Sequence, residues 1–194
     1  MAKRQTATEK QLASTIANWA KVGRPRDRQM YKVYNWEYDI NLGSNRCDWT
    51  LAQCSAFLGY VWHCYFGTRS KPPIVEPGYG SSCATAGGDS IALPRWARNR
   101  EIILHEVTHS ILERGSKGYY DKHQESHGPE FMRLFIELHD RFGTTTKNAL
   151  LKSAKKARLR VAHPNAVPRP LARFRTNAKR KRKPASEKRE TWLK

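Results

Sequence analysis

The chain has 194 residues, enough for one packed domain with appendages around a single sizeable core. Its 36 basic and 17 acidic side chains leave a formal charge of +19, and no apolar run approaches the roughly 20 residues that span a bilayer, which excludes a helical membrane protein. Cys47, Cys54, Cys64 and Cys83 fall at irregular intervals without a Cys-x-x-Cys pair, so four free thiols are expected rather than a disulfide framework or a second metal site.

Residues 1–23 read as a polar arm or short docking helix, with Leu12, Ile16 and Trp19 at helical spacing. The basic start, Met1 to Gln5, leads into no apolar stretch, so no signal peptide is expected and a cytoplasmic location follows. Arg26 to Asp39 places Met30, Val33, Tyr34 and Glu37 along one face and predicts a first amphipathic helix. Its aromatics Tyr31, Tyr34, Trp36 and Tyr38 are expected to serve core and rim packing rather than a stacking platform for nucleic acid. After the turn-rich Gly43-Ser44-Asn45, a second helix is predicted from Asp48 or Thr50 to about Tyr65, because Thr50-x-x-Gln53 has the form of a capping box. His63 on it is a candidate extra ligand, although a hydrogen-bonded core or boundary histidine is the commoner outcome.

Between Gly67 and Pro94 the texture turns to glycine, proline and serine. Pro72 to Pro77 predicts a brief strand. Tyr79–Thr85 and Asp89–Leu93 are expected to pair across Ala86-Gly87-Gly88, with Ile91 and Leu93 facing the core. By analogy with zinc peptidases, residues 89–93 are expected to form the sheet edge that receives an extended substrate.

Trp96 to Arg114 predicts a buried helix, ended at Gly115, that carries His105-Glu106-Val107-Thr108-His109 beside the apolar Ile102, Ile103, Ile111 and Leu112. Two histidines four residues apart project from one face as a two-pronged metal clamp. Glu106 is rotated off that line, where a general base belongs. A hydrolytic zinc site takes three protein ligands, so one more is needed from His123, Glu125, His127 and His139. His127 is preferred because Gly128-Pro129-Glu130-Phe131 follows it: proline suits the first helical position, and Phe131, Leu134, Phe135 and Leu138 continue an apolar face that ends at Gly143. The intervening loop holds Tyr119 and Tyr120, either of which could donate to an oxyanion, although exposed loop tyrosines are common.

A basic helix is predicted over Asn148–Val161, followed by a proline-bearing cationic tail with Lys179, Arg180, Lys181, Arg182 and Lys183. The charge is concentrated there: residues 1–146 hold 19 basic and 15 acidic side chains, residues 147–194 hold 17 and 2. Such a tail favours sequence-independent, salt-sensitive binding to nucleic acid over contact with an acidic protein.

His-Glu-x-x-His followed, after 17 intervening residues, by His-Gly-Pro-Glu-Phe resembles the SprT-like zinc metallopeptidases, whose eukaryotic member Spartan cleaves proteins crosslinked to DNA. Arg26 to Glu37 is also similar to a small group of uncharacterised His-Glu-x-x-His metallohydrolases from actinobacteria and their phages. The first resemblance covers about Arg98 to Gly143 and implies zinc held by His105, His109 and His127 with Glu106 as catalytic base. It departs from the SprT-like pattern in having no paired-cysteine zinc ribbon after the catalytic part, since no cysteine follows Cys83.

The expectation is therefore an α+β, zincin-like domain over residues 24–146 with a small, mostly antiparallel sheet, an N-terminal arm (1–23) and a basic extension (147–194). The expected activity is zinc-dependent hydrolysis, with a protein or peptide substrate and nucleic acid as partners. A metallohydrolase for another bond stays open, as does a zinc-stabilised nucleic-acid-binding or structural protein without catalysis.

Overall fold

The computed structural model describes residues 27–40, 42, 49–87, 89–115 and 125–171. The N-terminal arm, Cys47, Tyr119, Tyr120, His123 and the tail residues Lys179 to Lys183 lie outside them. The described part is α+β: helices α1 (Met30–Asp39) and α2 (Leu51–Phe66), strands β1 (Ile74–Pro77), β2 (Thr85–Ala86) and β3 (Ser90–Leu93), then helices α3 (Arg100–Gly115), α4 (Pro129–Phe142) and α5 (Lys147–Lys156). No helix among the described residues is long and apolar enough to cross a membrane.

The capping box forms as expected. Thr50 Oγ1 accepts from the Gln53 amide and Gln53 Oε1 accepts from the Thr50 amide, satisfying two donors at the start of α2. The metal helix starts later than its periodicity suggests. Asn99 Oδ1 accepts from the Ile102 amide at 2.9 Å and so caps α3, while Arg95–Ala97 form a separate 3-10 turn. α1 likewise begins at Met30 rather than Arg26, because the side chains of Asp27 and Gln29 are engaged with His127 instead of the helix. α5 begins at Lys147, capped by Thr146, and ends at Lys156 instead of continuing to Val161. Arg158 there takes a φ of 55° and Leu159 tucks into the core.

The sheet is mixed rather than mostly antiparallel, in the order β1-β3-β2. β1 runs parallel to β3 over four residue pairs, from Ile74↔Ser90 to Pro77↔Leu93, and β2 pairs antiparallel over two, Thr85↔Ala92 and Ala86↔Ile91. The crossover that a parallel pair needs is supplied by the 78–84 loop together with β2. β3 is consequently the central strand, and the edge role expected for residues 89–93 falls away: the outer edges belong to β1 and to the two-residue β2. Ile91 and Leu93 are fully buried, as their alternation requires.

The core unites both sides of the metal helix. Cys54, Leu58, Val61 and Trp62 of α2, Ile103, Leu104, Val107 and Ile111 of α3, and Phe131, Met132, Leu134 and Phe135 of α4 form one buried cluster. The chain beyond Thr146 belongs to it too. Leu150, Ala154, Leu159 and Val167 are buried there, Trp36 Nε1 donates to Ser153 Oγ, and the Leu171 amide donates to Cys64 O. The packed unit therefore extends past the Thr146 boundary that the charge change marks, because the apolar side of the basic helix covers α4. Cys54, Cys64 and Cys83 are free thiols.

Candidate metal centre

α3 carries His105 and His109 one turn apart, and α4 is preceded by His127, so the packing of α3 on α4 brings three imidazoles to one point. The His105 and His127 Nε2 atoms are 3.2 Å apart and those of His105 and His109 are 3.4 Å apart. Their potential ligand atoms all lie within 4.8 Å of one another, close enough to bind one metal ion. His105 and His127 are buried and His109 is half-buried. Gly128 is needed at the entry to α4, since a Cβ on it would stand 2.9 Å from the Glu125 carbonyl.

Two carboxylates hold the rings from behind. Nδ1 of His105 donates to Glu37 Oε1 at 2.7 Å, and Nδ1 of His127 donates to Asp27 Oδ2 at 2.8 Å. Asp27 Oδ2 also accepts from the His127 amide at 3.0 Å, and Gln29 Nε2 donates to the His127 carbonyl at 2.8 Å. With both Nδ1 atoms committed as donors, the Nε2 lone pairs of His105 and His127 face each other, an arrangement that a cation between them relieves. The donor set thus fits a metal ion: three imidazole nitrogens brought together, with His105 and His127 backed by carboxylates.

Burial, then the neighbouring His105 and His127, hold His109 well below the ordinary histidine range. Burial and His105 also press His127 downward, more strongly than Asp27 and Glu37 pull it up. Burial opposes charge on His105 as well, but the charge and hydrogen bond of Glu37, with the charge of Glu106, outweigh it and raise this pKa. Glu106 itself is buried, and burial raises its carboxyl above the usual range; His105 opposes the shift and Glu37 adds to it.

Aromatic rings enclose the imidazoles. Phe131 packs against all three, with centroid distances of 5.0 Å to His105, 4.5 Å to His109 and 4.9 Å to His127. Tyr34 stacks on His105 at 5.8 Å and meets His127 edge-on at 4.9 Å. Its phenol is pushed up to about 12, by burial first and then by the charges of Glu106, Glu37 and Asp27. The expectation for the α1 aromatics is thus met in part. Trp36 is core and Tyr34 is rim, but Tyr31 and Tyr38 project into solvent at 75% and 84% exposure.

Of the four candidates for the third ligand, the structure brings His127 into the cluster. Glu125 pairs with Arg28 and Arg160 instead. His139 is fully buried in α4 with no hydrogen-bond partner among the described residues for either ring nitrogen, and it lies outside the cluster, as does His63. Asp27, Gln29 and the rim position of Tyr34 were not legible as site features from local pattern. Glu37 stood on the right face of α1 but without a role. All four residues lie within Arg26–Glu37, a stretch to which no site role was assigned from the sequence. Comparison with protein-family models, curated proteins and solved structures gives no match to this chain.

Proposed function

We propose that the protein is a zinc-dependent metallohydrolase, a zincin-like peptidase of SprT-like type acting on proteins associated with nucleic acid. The observation that carries the metal assignment is the Nε2 spacing. Four ligands placed tetrahedrally at Zn–N distances of about 2.0–2.1 Å stand about 3.3–3.4 Å from one another; two of the three nitrogen pairs are separated by 3.2 and 3.4 Å, and all the ligand atoms lie within 4.8 Å of one another. His105, His109 and His127 would hold the ion, which leaves one tetrahedral position without a ligand among the described residues, the pattern of catalytic rather than structural sites.

Bound zinc supplies Lewis acidity, lowering the pKa of water and polarising a carbonyl. The chain supplies the rest. Glu106, next in sequence to a ligand and buried beside the cluster, accepts the proton of the attacking water and passes it to the departing amine. Glu37 and Asp27 keep two imidazoles in the tautomer that presents Nε2. The peptide bond as target follows from the resemblance to SprT-like enzymes, and nucleic acid as partner follows from the charge of residues 147–194.

The test is Glu106→Gln. It should keep one zinc per chain by elemental analysis and an unchanged circular dichroism spectrum, yet lose at least about 100-fold in turnover of dye-labelled protein, the scale of a positioned acid–base group. Full turnover by the variant, or folded wild-type protein that takes up no zinc, refutes the reading.

A further inference from the structure

We propose that the Tyr34 hydroxyl is a catalytic hydrogen-bond donor to the oxyanion that forms when the scissile carbonyl is attacked. This rests on the hydrolytic reading above and adds the group that completes it. A hydrolytic site needs an acceptor for the water proton and a donor for the charge that develops on the carbonyl oxygen. Glu106 provides the first.

Three aromatic side chains touch the imidazole cluster among the described residues: Tyr34, Phe131 and Phe135. Phe131 and Phe135 are buried and have no polar atom. Tyr34 is 44% exposed, so it stands at the mouth of the site, and it alone of the three ends in a donor. Its position is fixed from behind. α1 supplies Glu37 to His105, and Tyr34, three residues earlier on the same helix, lays its ring across His105 with planes only 18° apart and against His127 at 4.9 Å. The Tyr34 ring thus lies against two of the three imidazoles while its side chain stays partly open to solvent, where a substrate carbonyl would approach them.

The bookkeeping of the step closes without further reagents. The water oxygen bonds to the carbonyl carbon, its proton passes to Glu106, and the carbonyl π pair moves onto oxygen, where the Tyr34 O–H donates without giving up its proton. The C–N bond then breaks, the carbonyl re-forms, and Glu106 returns the proton to the amine. Tyr34 ends as it began, and an ordinary phenol keeps its proton to about pH 10.

The experiment is Tyr34→Phe in full-length, zinc-loaded protein, because phenylalanine keeps the ring against His105 and His127 and removes only the donor. Zinc stoichiometry should not change. Turnover of dye-labelled casein, measured with and without single-stranded DNA, should fall about 100- to 1,000-fold in kcat with little change in KM. Affinity for a phosphinic peptide, whose tetrahedral phosphorus carries an anionic oxygen, should weaken markedly, whereas a simple thiol that binds only the metal should bind equally well. Wild-type kcat and phosphinate affinity in Tyr34→Phe overturn the proposal and leave the hydrolytic reading standing. Loss of zinc in Tyr34→Phe overturns it in favour of a packing role. Zinc-loaded wild-type protein that neither cleaves casein nor binds the phosphinic peptide overturns both.

Discussion

Removing the carboxylate behind His105 should weaken metal binding by an amount that the geometry bounds. The Glu37–His105 contact at 2.7 Å is at the short end for a charged N–H···O bond, and the Glu37 side chain is only 15% exposed, so water screens it little. A hydrogen bond to a charged group contributes roughly 1.5–3 kcal/mol, which corresponds to about 10- to 150-fold in an equilibrium constant. Glu37→Ala, which leaves Nδ1 of His105 with no acceptor, should therefore lose about 10- to 100-fold in zinc affinity, in the range seen when supporting residues of metal sites are removed. Glu37→Gln keeps a carbonyl that can accept the same proton and should lose roughly 10-fold or less, as neutral hydrogen bonds are about half as strong. Asp27→Ala should cost more than Glu37→Ala, because Asp27 accepts from both the ring and the amide of His127. The assay is competition for zinc between the apo-protein and a chromophoric chelator at pH 7.5, with circular dichroism to establish folding. Folded Glu37→Ala protein with wild-type affinity would refute the claim that the carboxylate orients the ligand.

His139 makes stability depend on pH. Burial, with a smaller effect from His105, pulls it down to about 3, so the unfolded chain takes up a proton near pH 6.5 while the folded chain does not until far lower. Its contribution is present above pH 6.5 and is lost as pH falls toward 3, at about 1.4 kcal/mol per unit; His139→Leu should flatten that slope in urea titrations at pH 7.5, 5.5 and 4.5, and an unchanged slope would contradict the assignment. Gln29→Ala removes the bonds to the His127 carbonyl at 2.8 Å and to the Arg160 carbonyl and amide at 3.2 and 3.0 Å, which should destabilise the protein by roughly 3 kcal/mol. Chemical denaturation measures that loss, and a change under about 0.5 kcal/mol, the size of an ordinary surface substitution, would count against the brace.

What was legible in the sequence was what local spacing encodes. The paired histidines and Glu106 follow from a period of 3.6, the start of α2 from Thr50 and Gln53, and His127 from the glycine and proline behind it. Helix starts failed where a side chain had a competing use: Asn99 delayed the start of α3 by capping it, and Gln29 left α1 for the ligand loop. Strand direction failed because alternation reports which face is buried and says nothing about which way a neighbour runs, so β1 could not be oriented beside β3. The supports of the metal site lie 68 and 100 residues from their histidines, far beyond any window in which a period can be read.

The Gln29 brace also sets when the site can mature. Its carboxamide grips His127 on one side and Arg160 on the other, 98 and 131 residues along the chain. A nascent polypeptide that has emerged through His127 already carries all three ligands, yet the backbone that locks the third one arrives only with Arg160, after two more helices have been made. Translation therefore finishes nearly the whole packed unit before the backbone of His127 is held in place. A partly synthesised chain, still among other newly made proteins, has the histidines but not the frame that holds His127 in register.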